Sequence, residues 1–164
     1  MDTALDTLVI AVDGTAGSGK SSTSRGVANK LGLRYLDTGA MYRAMAWHQL
    51  QAGVDVSAAD AVARHAESAV IESGTDPERP TILLGGADVS TEIRSDEATS
   101  AVSAGSAVPR VREILVAQQR AIIGRGGIVV GVDEQDGRHR TARRHRRDRT
   151  AVRHDDGVER SERA

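Results

Sequence analysis

The chain has 164 residues, 39% of them hydrophobic, which suits one compact domain with a core of its own. A net charge of −1 gives no global attraction to nucleic acid or to an anionic membrane, and the absence of cysteine excludes disulfides and thiolate metal sites. The acidic opening MDTALDTLVIAVDG holds only a short apolar run, and nothing approaches the ~20 apolar residues of a membrane span; a soluble, cytoplasmic protein without a signal peptide is expected.

Thr7–Asp13 (TLVIAVD) is a short, β-branched run ending at Gly14 and predicts a buried parallel strand. Lys20–Leu31 predicts a helix, with Val27, Ala28 and Leu31 on one face and Gly32 as its C-terminal stop. Leu33–Asp37 reads as a second strand and Ala40–Ala52 as a helix closed by Gly53. Ser57 is the expected N-cap of a third helix reaching about Glu67. Ser68–Ser73, Thr81–Leu84 and Ala87–Ile93 are strand-like runs separated by GTDPERP and GG, so a small antiparallel sheet is expected as an insert over about 68–93. Ser95–Ser106 is weakly helical, Pro109 suits the first position of a helix to about Ile123, and Gly126–Val130 begins another apolar strand. Strands alternating with helices make this an α/β chain with a parallel sheet and right-handed crossovers.

Composition breaks after Val130. Gly131–Ala164 holds 10 arginines and eight acidic residues but no Leu, Ile, Met, Phe, Tyr or Trp. Such a tail cannot bury apolar surface and is expected to be disordered, outside a packed domain of residues 1–130. Its acids nearly balance its arginines, so no nucleic-acid partner is expected from it.

Gly14-Thr15-Ala16-Gly17-Ser18-Gly19-Lys20-Ser21 fits the phosphate-loop pattern G-x-x-x-x-G-K-[ST], and an apolar strand enters it while a helical pattern leaves it. Glycines let successive N–H groups turn inward toward phosphate oxygens, and the positive end of the helix dipole faces the same anion. Lys20 can reach the β- and γ-phosphates, and the Ser21 hydroxyl can ligate Mg²⁺; with Ser22 these residues are the expected ATP site. A P-loop alone does not choose between kinase, ATPase and GTPase.

Tyr35–Arg43 (YLDTGAMYR) follows the second strand. If that strand lies beside the first, its C-terminal end opens on the same crevice as the P-loop, and Arg43 begins a helix near the transferred phosphate. A guanidinium there is either a bidentate phosphate ligand or a solvated helix residue, with Tyr42 a half-buried anchor. Arg94, expected at the end of the inserted sheet, is either a phosphate ligand or a strand-end charge. Arg112 is one of four arginines with Arg110, Arg120 and Arg125, most of which belong to solvated faces. None of the five histidines has metal-ligand spacing.

In order, GTAGSGKSS, YLDTGAMYRA, DVSTEIRSDE and AVPRVREILVAQQR resemble the bacterial cytidylate kinases of the actinobacterial type, over about Leu8–Val130. The resemblance implies a P-loop nucleoside monophosphate kinase fold, a parallel sheet with flanking helices whose β insert enlarges the monophosphate-binding subdomain. It implies transfer of the γ-phosphate of ATP to CMP or dCMP with Mg²⁺, by a monomer. It makes Lys20 and Arg43 catalytic and places Thr38, Tyr42 and Arg43 at the nucleoside monophosphate. Ser103 would contact the cytosine ring, Arg112 the ring or the monophosphate, and Arg94 the monophosphate. After GGIVV the family continues with E/D-G-R-D-x-G-T and an arginine-rich lid, whereas this chain reads Gly131-Val-Asp-Glu-Gln-Asp-Gly. The departure implies a chain truncated or frameshifted after about Val130, lacking the C-terminal part of the fold and with little activity. The alternative is a non-catalytic nucleotide-binding remnant.

Overall fold

Short strands of two to four residues build the sheets of the computed structural model, which describes residues 4–15 and 17–133. The strands are β1 (Val9–Val12), β2 (Arg34–Asp37), β3 (Ile71–Ser73), β4 (Ile82–Leu84), β5 (Ala87–Asp88) and β6 (Ile128–Gly131). The helices are α1 (Lys20–Leu31), α2 (Thr38–Gln51), α3 (Ala59–Ala66), α4 (Asp96–Ser106) and α5 (Pro109–Ile123).

The main sheet is parallel, in the order β1–β6–β2, with Val12 and Asp37 both level with Gly131. The second strand is therefore not beside the first, as the crevice argument had assumed; β6 separates them. β6 is buried at all four positions, and a strand covered on both faces belongs at the centre of a parallel sheet. Ile128 and Val130 join Leu36 in the larger apolar cluster, with side chains from α2 to α5, while Val129 and Tyr35 join Ala28 and Leu33 on the face covered by α1. The first strand is shorter than Thr7–Asp13, because Leu5–Thr7 forms a 3₁₀ turn. Nor is it buried: Ala11 is exposed and its neighbours are half-buried, since β1 pairs only with β6 among the described residues.

α1 has the expected bounds, with Gly32 in the left-handed conformation behind it. α2 starts two residues ahead of Ala40, because the Asp37 carboxylate accepts the Ala40 N–H at 2.9 Å and caps the helix from the end of β2. Nine of its 14 residues are buried, so α2 is the axis of the core rather than a surface helix. Ser57 is not the cap of α3: its N–H and hydroxyl both donate to the Asp55 carboxylate, and Ala58 precedes the helix. α4 is capped by Ser95, which accepts the Ala98 N–H, and Pro109 opens α5. The guanidinium of Arg34 donates to the carbonyls of Ile122, Ile123 and Gly126, satisfying the end of α5 from β2.

The insert is the antiparallel sheet β3–β4–β5, with Gly85 and Gly86 as the two-residue turn between β4 and β5. Its third strand stops at Asp88; Glu92–Arg94 is a 3₁₀ turn packed on α2, so Arg94 does not end a strand. Hydrogen bonds tie the insert's loop to α1 and β2. Arg25 of α1 donates to the carbonyls of Pro77 and Glu78, and the Tyr35 N–H donates to the Thr75 carbonyl at 2.8 Å.

Packed structure continues past Val130. Gly131 completes β6, the Val132 N–H donates to the Val12 carbonyl at 2.9 Å, and the Asp133 N–H donates to Thr38 Oγ1 at 3.0 Å. Residues 134–164, the bulk of the tail expected to be disordered, lie outside the described residues. No helix among the described residues is long and apolar enough to cross a membrane.

Candidate functional site

All three strands of the main sheet end at one level, and the segments leaving them form the site. The loop after β1 carries the P-loop pattern. Gly17 and Gly19 hold φ values of 77° and 81°, left-handed conformations that a Cβ would strain. Gly19 precedes α1 and offers no side chain to cap it, so the first-turn N–H groups point out of the helix uncapped, toward where an anion would sit. The half-buried Lys20 ammonium donates back across the loop to the Gly14 carbonyl at 3.0 Å, which holds the cation at the loop's mouth. The Gly14 N–H donates to the Asp13 carboxylate at 2.7 Å. Thr15, Gly17, Ser18, Ser21 and Ser22 are exposed, and Ala16 lies outside the described residues. This is a cradle of backbone donors and one cation that fits a chain of phosphates. No group of three or more His, Cys, Asp or Glu suited to a metal occurs among the described residues. An exposed hydroxyl such as Ser21 fits Mg²⁺ only together with phosphate oxygens, the usual way this ion is held.

Sequence reasoning passed over Tyr35, because an aromatic residue in a strand reads as core. It is 1% exposed, yet its hydroxyl is hydrogen-bonded to Ser21 and lies 3.2 Å from where a Cβ on Gly131 would stand. Burial, and next the charge of Asp37, push its pKa up to about 12, against the Ser21 hydrogen bond and the charges of Arg25 and Arg43. The phenol is therefore neutral at physiological pH, hydrogen-bonded to the P-loop serine and packed close to Gly131 at the end of β6.

The segment after β2 lies on the other side of β6. Arg43 stands in the second turn of α2, not at its start, and ion-pairs with its own capping residue, Asp37, at 3.6 Å. Thr38 is buried and donates to the Gly131 carbonyl at 3.0 Å while accepting from the Asp133 N–H, so it ties α2 to β6. Tyr42 is 2% exposed and lines a small cavity with Met45, Gln49, Val102 and Val111; it is part of the core rather than a half-buried anchor. Arg94 is exposed and donates to the Ser90 carbonyl, Ser103 is exposed on α4, and Arg112 is half-buried on α5. Their elements all pack on α2, but among the described residues no hydrogen bond or ion pair joins these three to Arg43. The structure thus gathers Lys20, Ser21, Thr38 and Arg43 at one end of the sheet and leaves Arg94, Ser103 and Arg112 on the surrounding helical wall.

The sequence profile of the family described as cytidylate kinase matches residues 10–143. A cytidylate kinase of Streptomyces griseus is 54% identical over 132 residues, 79% of this chain and 57% of that protein. One of Nocardia farcinica is 55% identical over 115 residues, covering 70% and 50%, and one of Rhodococcus opacus 52% identical over 123 residues, covering 75% and 54%. The chain spans about half the length of the curated relatives it matches.

Proposed function

The chain belongs to the cytidylate kinase family, and on that footing we propose that its site is built to transfer the γ-phosphate of ATP to CMP or dCMP, giving ADP and CDP or dCDP. One observation carries this reading: the P-loop after β1 and the DTGAMYR segment after β2 flank the end of β6 at one level of a parallel sheet, where open α/β folds bind ligands. The backbone of Gly14–Ser21 and the Lys20 ammonium hold the donor phosphates, with Ser22 on the first turn of α1 behind them. Ser21, together with the nucleotide's own phosphates, would hold Mg²⁺, which would supply neutralisation of the phosphate charge. Arg43 holds the acceptor phosphate, helped by Arg94 and Arg112. Ser103 meets the base, and Thr38 and Tyr42 fix the α2 wall on which the nucleoside rests. An acceptor phosphate oxygen attacks the γ-phosphorus in line, the bond to the bridging β-phosphate oxygen breaks, and ADP leaves. No protein nucleophile is required; positioning and charge neutralisation account for the rate. The protein works in the cytoplasm as a monomer.

A second reading, nucleotide binding without transfer, is favoured by the carboxylate of Asp133, which reaches the neighbourhood of Arg43. Turnover of ATP with CMP, AMP and GMP, followed as ADP released, separates the two. The kinase reading expects CMP to be phosphorylated well ahead of the purine nucleotides. ATP binding with no acceptor-dependent turnover supports the second reading, and preference for AMP sinks the cytidylate assignment.

A further inference from the structure

Arg43 does not stand at the site as an open positive charge. On one side is Asp37, at 3.6 Å. The chain leaving β6 also brings in Asp133, held by its own N–H to Thr38 Oγ1 while the same hydroxyl donates to Gly131. Gly39, one turn before Arg43, has no side chain, and that vacancy is what both groups use. A Cβ on Gly39 would stand 3.1 Å from Arg43 Nη1, and the Asp133 carboxylate closes on the same point. Two carboxylates therefore stand near one guanidinium, and these three groups together carry a charge of −1 where a phosphate has to be received.

We propose that Asp133 sets the anion affinity of this site: its carboxylate, seated over Gly39, competes with an incoming phosphate for Arg43. The inference rests on the assignment of Arg43 to the acceptor phosphate. An opposite charge at this range favours a guanidinium's pairing, and a like charge repels a phosphate dianion by a similar amount. Removing the Asp133 charge leaves Arg43 and Asp37 as a neutral pair. Inorganic phosphate and CMP should then bind about five- to tenfold more tightly, from a like charge removed at the edge of solvent. Uncharged cytidine should be indifferent, since it brings no phosphate to the contest. Asp133 is a residue that governs ligand charge, not a catalytic group.

The test is calorimetric titration of the full chain at low salt with inorganic phosphate, CMP and cytidine. Wild type is compared with Asp133→Asn and Asp133→Ser, each also made in an Arg43→Gln background, because the P-loop itself binds phosphate. Both substitutions keep the backbone N–H that Thr38 accepts, and unfolding midpoints establish that the variants are folded. The expected result is a five- to tenfold gain for phosphate and CMP, no change for cytidine, and no gain without Arg43. Unchanged, weaker or undetectable phosphate binding in the Asp133 variants overturns the proposal. So does a gain that survives Arg43→Gln, or loss of the fold in both variants, which would make the side chain structural. If phosphate binding gains as expected but CMP binds no better than phosphate, the proposal stands and the nucleotide-acceptor reading falls.

Discussion

Raising the pH tests whether Tyr35 is held as described. A phenol with a pKa of about 12 in the folded chain and 10.0 when unfolded binds its proton more tightly in the fold. Its contribution to stability is therefore fully present below pH 10 and is lost as pH rises from 10 to about 12. Each pKa unit is worth about 1.4 kcal/mol, so at most about 3 kcal/mol is at stake, a large part of the stability of a small domain. The physical source is visible: the ring is 1% exposed and packed with Ala28, Leu33 and Val129, and an ionised oxygen there would be poorly solvated and near the Asp37 charge. Urea unfolding of wild type and Tyr35→Phe at intervals from pH 8 to 11.5 isolates the effect, since the lysines titrate in both. The difference in tyrosinate absorbance between the two proteins follows the proton itself. Near pH 8 the variant should differ by about 1 kcal/mol, the worth of the hydrogen bond to Ser21. Above pH 10 the wild type should lose stability faster than the variant. Parallel curves, or a Tyr35 titration centred at 10, would refute the burial argument.

Lys20→Ala should weaken ATP binding by about 10-fold or more, because a phosphate loses its charge-assisted partner; unchanged affinity by calorimetry counts against the P-loop assignment. Thr38→Val should cost about 1–3 kcal/mol in thermal unfolding, since it leaves the Gly131 carbonyl and the Asp133 N–H without their buried partner; a neutral substitution would show that the tie between α2 and β6 carries no energy. His48 is stacked on His65 with ring centres 4.2 Å apart, and burial, then the charge of His65, lowers its pKa from 6.5. A lowered pKa means the contribution is present above pH 6.5 and lost as pH falls through the folded value. His48→Gln should therefore flatten the loss of stability on acidification; an identical pH profile would exclude the histidine pair as its source.

Much of the local architecture was legible in the sequence. The left-handed stop at Gly32, Pro109 at the head of α5 and the GG turn of the insert are single-residue conformational rules, acting over a few residues, and they hold wherever the chain goes. The P-loop is legible for the same reason: its glycines, lysine and serine are contiguous, and a strand and a helix on either side fix their geometry. Asp37 as the cap of α2 was there to be read as well, an Asp three residues ahead of Ala40 at the end of a strand.

What the tertiary structure decided is which distant residues meet. No local pattern says that β6 enters between β1 and β2: β1 (Val9–Val12) is as apolar as β6, yet only β6 is buried at every position. That placement puts Gly131 under the Tyr35 hydroxyl, leaves β1 half-buried at the margin, and delivers Asp133 over Gly39 to the side of Arg43. It also turns Thr38 and Tyr42 inward. Residues 95 positions apart in the chain share a hydrogen bond there, and the charge of the site is settled by a residue that composition had assigned to the tail. The chain's local rules determined its elements and its anion cradle; long-range packing determined the electrostatics of the site, because Coulomb and burial energies depend on distances that only the folded chain sets.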